Sequence, residues 1–108
     1  MRLIIRETSK LNVLADATGG QALKVEGNWY VRPDAVSQDR LAVTTREYVC
    51  PYKGRCFYVD AVIGARRIER VAWIYDESKP GWEHIKGRYG FYSGVAATRL
   101  GKTAEEIF

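Results

Sequence analysis

Methionine and histidine each occur once in this 108-residue chain, cysteine twice and proline three times. His84, Cys50 and Cys56, with no Cys-x-x-Cys pair, fall short of the three or four suitably spaced ligands that a metal centre needs, so neither metal nor cofactor is expected. Two cysteines do not make a disulfide framework, which agrees with a reducing compartment. No apolar run approaches the about 18 to 20 residues that span a bilayer, so a membrane is not an expected partner. The start, Met1-Arg2-Leu3-Ile4-Ile5-Arg6, reaches a charge too soon for a signal-peptide core, and a cytoplasmic protein is the expectation. Gly19-Gly20 lacks the lysine and helix of a phosphate-binding loop, and Asp60, Asp76 and Glu77 are not a spaced carboxylate pair on one strand. Helical periodicity is missing over any window of about a dozen residues, while strand-like alternation recurs about every 10 to 15 residues. The class is mainly β, in one domain over residues 1–108.

What is present concentrates in Tyr48-Val49-Cys50-Pro51-Tyr52-Lys53-Gly54-Arg55-Cys56-Phe57-Tyr58. Pro51 fixes φ two residues before Lys53, and Gly54 can take the positive φ of a chain reversal, so the lysine is aimed. Leu41 to Cys50 reads as the strand entering this turn and Arg55 to Ile63 as the strand leaving it, with Phe57 and Val59 on one face and Cys56, Tyr58 and Val62 on the other. Upstream, Arg2 to Glu7 and Asn12 to Ala15 are short strands and Asp16 opens a turn. Ala22 to Glu26 and Asn28 to Val31 alternate about Gly27, with Leu23, Val25, Trp29 and Val31 together and Tyr30 on an opposite, more polar face. Ala35 to Arg40 and Trp82 to Lys86 each hold a single expected helical turn. Val71 to Tyr75 alternates with Val71, Trp73 and Tyr75 on one side. Thr103-Ala104-Glu105-Glu106 is a capping-box pattern that predicts a short helix ending at Phe108.

With Cys50, Pro51, Lys53, Gly54 and Tyr58 in this order, the chain resembles a bacterial domain-of-unknown-function family, number 427, whose signature is Cys-Pro-x-Lys-Gly-x-Ala-x-Tyr. Further matches are Leu14-Ala15-Asp16, Val25 to Tyr30, Ala72-Trp73 with Tyr75, Pro80, Ile85-Lys86-Gly87 and Phe91-Tyr92. The resemblance covers roughly residues 10 to 95 and leaves 96–108 as an extra tail. Cys56 stands where the family has alanine, and Val31-Arg32-Pro33 where Phe-Pro-Pro is common. The resemblance implies a compact antiparallel β domain similar to Mss4-like or β-tent folds, with one or two short helical turns. It is evidence for fold rather than activity. The nucleotidyltransferase-like label sometimes attached to the family finds no matching carboxylates or phosphate cradle here.

Two chemistries remain. Cys50 is a candidate nucleophile or redox thiol, with Lys53 or Arg55 lowering its pKa, weighed against a small buried hydrophobe. If the loop centres on Lys53, Cys50 and Cys56 oppose each other and a reversible disulfide is conceivable. The preferred reading is a pocket for a small anionic or aromatic molecule, lined by Tyr30, Tyr52, Lys53, Tyr58, Trp73 and Tyr75, because aromatics with polar tips line small-molecule sites. Trp73, with Phe57, is also a candidate for plain core.

A formal charge of +4 is a lean rather than a nucleic-acid signature. Arg66, Arg67 and Arg70 form the one cationic cluster, interrupted by Glu69, and nucleic acid is a disfavoured partner that would need stacking aromatics as well. A homodimer is expected instead, through the edge of the strand near Asn28 to Val31 or the apolar end Ile107-Phe108.

Overall fold

The computed structural model describes residues 1–100 and 102–108; Gly101, inside the expected tail, lies outside them. Two antiparallel sheets carry the chain. The smaller contains β1 (Arg2–Glu7) between β2 (Val13–Thr18) and β9 (Thr103–Ile107). The larger has β3 (Ala22–Val25), β4 (Asn28–Val31), β5 (Leu41–Cys50), β6 (Gly54–Ile63), β7 (Arg66–Ser78) and β8 (Tyr89–Phe91), in the order β3-β4-β8-β7-β6-β5. One α-helix, α1 (Gly94–Leu100), and 3-10 turns at Gly19–Gln21, Pro33–Ala35 and Glu83–Ile85 complete the described elements. The mainly β antiparallel expectation holds.

The main core lies between the sheets. Leu3, Ile5, Leu14 and Ala17 from the smaller meet Trp29, Val31, Val59, Ala72, Tyr89 and Phe91 from the larger. Side chains alternate across a strand, so the neighbours of these residues on β4, β6, β7 and β8 emerge on the far face of the larger sheet. There Tyr30, Cys50, Cys56, Trp73, Tyr75 and Ile85 form a second cluster. The segment carrying the Glu83–Ile85 turn packs on it through Ile85 and Trp82.

Several local expectations give way. Thr103 to Glu106 is strand, not helix: β9 pairs with β1 from Leu3↔Ile107 to Glu7↔Thr103, and the ladder overrides the local capping pattern. The helix falls earlier, at α1, around Ala96 and Ala97. Asp16 lies inside β2, where it accepts both Nε and Nη2 of Arg2 at 3.0 and 2.8 Å, and the turn begins at Gly19. The helical turn expected within Ala35 to Arg40 sits at Pro33–Ala35, where proline is favoured in the first turn. The strand near Asn28 to Val31 is not an edge, since β4 lies between β3 and β8.

Face assignments shift for two reasons. Glu26 (φ 51°) and Gly27 (φ 82°) make a two-residue hairpin turn with both φ positive, pairing Val25 with Asn28 and Leu23 with Tyr30. Leu23 and Val25 therefore share the face of Tyr30, which is 2% exposed rather than polar-facing. On β7 a bulge puts three residues, Glu69, Arg70 and Val71, opposite Asp60 alone. Past it the phase resets, so Val71 joins the main core while Trp73 and Tyr75 join the second cluster.

Candidate functional site

The Cys50 to Gly54 corner is a hairpin whose loop is Pro51-Tyr52-Lys53, closed by the pair Cys50↔Gly54. Gly54 has φ 119°, and a Cβ there would collide with the Glu77 carbonyl oxygen, because β7 runs hard against the loop exit. Lys79 secures the corner, donating its amide to Lys53 O and its ammonium to Pro51 O, both at 2.8 Å. The loop centres on Tyr52, not Lys53. Cys56 thus faces Tyr48 rather than Cys50, and both thiols are free.

Above the second cluster the sheet is hollowed into a recess of about 280 Å³, walled by Tyr30, Lys53, Tyr58, Trp73 and Tyr75 together with Asn28, Tyr48, Cys56 and Tyr92. Five of the expected site residues are thereby brought together. Tyr52 is not among them; it projects from the loop at 75% exposure. Cys50 is buried in the cluster without bordering the hollow. Cys56 shares the expected face of Tyr58, and Tyr48 pairs with it across β5 and β6, whereas Tyr92, just past β8, has no expected site residue on its own strand to be counted from.

Trp73 anchors the wall. Its Nε1 donates to the Tyr30 hydroxyl at 3.3 Å, the two rings meet edge to face at 6.1 Å and 80°, and Tyr92 tilts against the indole at 4.7 Å. The indole lies over Gly90, which pairs with both Tyr30 and Trp73 and where a Cβ would collide with the ring. A glycine within a strand is the signal for such a close approach. Burial pushes the Tyr30, Tyr75 and Tyr92 hydroxyls above the usual phenol range, so they stay protonated donors.

Lys53 is aimed as expected, but it is engaged. Its Nζ pairs with Glu26 Oε1 at 2.8 Å and sits 5.2 Å from the centre of the Trp82 ring. Burial pulls this ammonium down, and the hydrogen bond and charge of Glu26 more than reverse it. Burial likewise pushes the Cys50 thiol up, but backbone N–H groups of Lys53 and Tyr52, the Lys53 charge and the Tyr75 hydroxyl outweigh it and leave the thiol below its ordinary value. The Cys56 thiol is held above its ordinary value by burial, against the Tyr75 hydroxyl and the Tyr48 backbone.

Asp60, Asp76 and Glu77 are held by arginines. Asp60 takes Arg46 at 2.5 Å, Arg67 at 2.6 Å and the Arg70 amide at 3.1 Å; Asp76 and Glu77 share Arg55. Arg66 pairs with buried Glu7. Two of the three clustered arginines are thus committed to internal carboxylates. His84 is exposed and stacks on Trp82, and among the described residues no three His, Cys, Asp or Glu side chains converge as metal ligands. No helix among them is long and apolar enough to cross a membrane.

A larger open groove of about 810 Å³ runs along α1 and β9, bordered by Thr8, Lys10, Val95, Arg99 and Glu105. Its carboxylate is committed to fold contacts, since Glu105 accepts Trp29 Nε1 at 2.6 Å and Ser93 Oγ at 2.9 Å. The aromatic recess is the better candidate because five tyrosines, Trp73 and Lys53 border one hollow.

The molecule is thus a two-sheet antiparallel β domain that keeps its core on one face of the larger sheet and an aromatic recess on the other. The chain belongs to the family described as Domain of unknown function (DUF427), whose model matches residues 8–101. No curated protein matches it. The match runs past the expected 10 to 95 at both ends and leaves out β1 and β9, which pair with each other.

Proposed function

We propose that this chain is a small cytoplasmic binding module whose recess accepts a small aromatic or anionic molecule. The observation that carries the reading is the convergence of Tyr48, Tyr58, Trp73, Tyr75 and Tyr92 with Lys53 around one hollow, since concave aromatic walls with a few polar groups are the usual form of a ligand site. The free thiols of Cys50 and Cys56 suit a reducing compartment. A panel of small aromatic acids and neutral aromatics, titrated against the isotope-labelled protein, tests this. Amide shifts should cluster on β4, β6, β7 and β8 around the recess. Shifts confined to the α1 groove, or none, would remove it.

A second reading, thiol chemistry at Cys50, is favoured by the depressed thiol and opposed by its burial at 8% exposure. Self-association is the remaining part of the proposal. It draws on Tyr48 and Val49 of the edge strand β5 and on Ile107 and Phe108, all of which are exposed. A monomer mass by light scattering would dismiss it.

A further inference from the structure

Arg70 sits where an arginine is sterically awkward. It occupies the β7 bulge at φ 56°, a left-handed conformation that glycine adopts freely and other residues rarely do. Its amide donates to Asp60 Oδ1 at 3.1 Å, and Asp60 is itself fixed by Arg46 and Arg67, so the bulge is held from below. The side chain is exposed, with its guanidinium carbon 4.7 Å from the centre of the Tyr58 ring. Tyr58 is a wall of the recess, and the charge of Arg70 also reaches the hydroxyl of Tyr92, another wall.

The contrast with the other cations decides the matter. Lys53 is committed to Glu26, Arg66 to Glu7 and Arg67 to Asp60. Among the described residues the Arg70 guanidinium makes no ion pair and no side-chain hydrogen bond; it only lies over the Tyr58 ring. A guanidinium held over an aromatic ring and engaged by nothing else keeps its N–H donors available, and its planar fork can receive a carboxylate in two parallel bonds.

We infer that Arg70 is the anion-receiving group of the recess and that the ligand class is an aromatic carboxylate, its ring packed among Tyr58, Trp73 and Tyr92 and its carboxylate on the guanidinium. This rests on the recess being a ligand site, and it moves recognition from the lysine of the Cys-Pro-Tyr-Lys-Gly turn to the β7 bulge.

The test compares 4-hydroxybenzoate with its neutral analogue 4-hydroxybenzamide by NMR titration at one low ionic strength, using wild type, Arg70→Met, Arg70→Lys and Lys53→Met, each checked for a native circular dichroism spectrum. Wild type should prefer the acid by about tenfold, as one charge-assisted contact implies. Arg70→Met should lose that preference while keeping its affinity for the amide, Arg70→Lys should retain part of it, and Lys53→Met, which removes a wall residue, should weaken acid and amide alike and leave their ratio in place. Equal binding of acid and amide by wild type overturns the inference and leaves the recess reading standing. A preference that survives Arg70→Met but disappears in Lys53→Met also overturns it. Binding of neither probe at the recess removes both.

Discussion

Gly90 lies beneath the indole of Trp73, and a single added methyl group at that position would collide with the ring. The glycine is what lets Trp73 lie flat enough to reach the Tyr30 hydroxyl across β8. Gly90→Ala should therefore cost about 1–3 kcal/mol, the range for overpacking a filled site. It should also shift the fluorescence of the tryptophans, while Gly20→Ala, where a Cβ meets nothing within 4 Å, should change neither. A Gly90→Ala protein with the wild-type urea midpoint would show that the indole relocates freely.

Acid should weaken the fold through Asp60 and Glu7. Burial pushes both carboxyls up, but the amide of Arg70 with Arg67 and Arg46 at Asp60, and Ser9 with Arg66 at Glu7, more than offset it and hold both below the usual carboxylate range. A carboxyl whose pKa is lower in the folded chain stabilises it fully above the unfolded value and ceases to as pH falls through the folded value. Stability should thus be level above about pH 5 and decline below about pH 4, where free Asp and Glu titrate. Asp60→Asn should lose about 2 kcal/mol at neutral pH, in the range for hydrogen bonds to a charged group, and show a shallower acid limb. An unaltered acid limb in this variant would assign the acid sensitivity elsewhere.

Removing residues 103–108 should destabilise the domain, beyond any change in its mass. β9 is half of the partnership of β1, and Glu105 receives the buried indole N–H of Trp29 together with Ser93. The loss should be on the order of 3–5 kcal/mol, since a ladder disappears and a buried donor is orphaned. An unchanged denaturation midpoint would mean that the tail is an accessory.

Cys50 should alkylate before Cys56. Iodoacetamide should modify Cys50 at a pH below the ordinary thiol value of about 8.5, and Lys53→Met should slow it by removing the nearby charge. Cys56, with a raised thiol and 2% exposure, should label only as the chain opens. Faster labelling of Cys56 would reverse the assignment of the two environments.

What the sequence makes legible depends on how far each signal travels along the chain. Period-two alternation within a strand is local, so the sequence alone puts Trp73 and Tyr75 on one side of their strand and Tyr58 with Cys56 on one side of theirs. Parity does not survive a turn of unknown length. The two-residue loop at Glu26-Gly27 makes odd-numbered residues share a face with even-numbered ones, which is why counting alone groups Leu23 and Val25 with Trp29. Tyr52 escapes the count because alternation stops inside a loop. The Thr103 to Glu106 pattern is a sound local helix signal, but the partner that makes it a strand, β1, is about a hundred residues away. The Lys53–Glu26 pair, which occupies the expected cation, joins two separate hairpin turns and has no local signature.

The bulge at Arg70 also acts as a register pin. Core and recess residues alternate along β7, so a slip by one position would send Ile74 toward the recess and Trp73 toward the main core. The three residues packed opposite Asp60 make that slip impossible without breaking the carboxylate's contacts. Between this pin and Tyr75, an insertion of one residue would scramble both faces at once, whereas exchange of one side chain for another alters a single face. The recess is therefore open to change by substitution and closed to change by length.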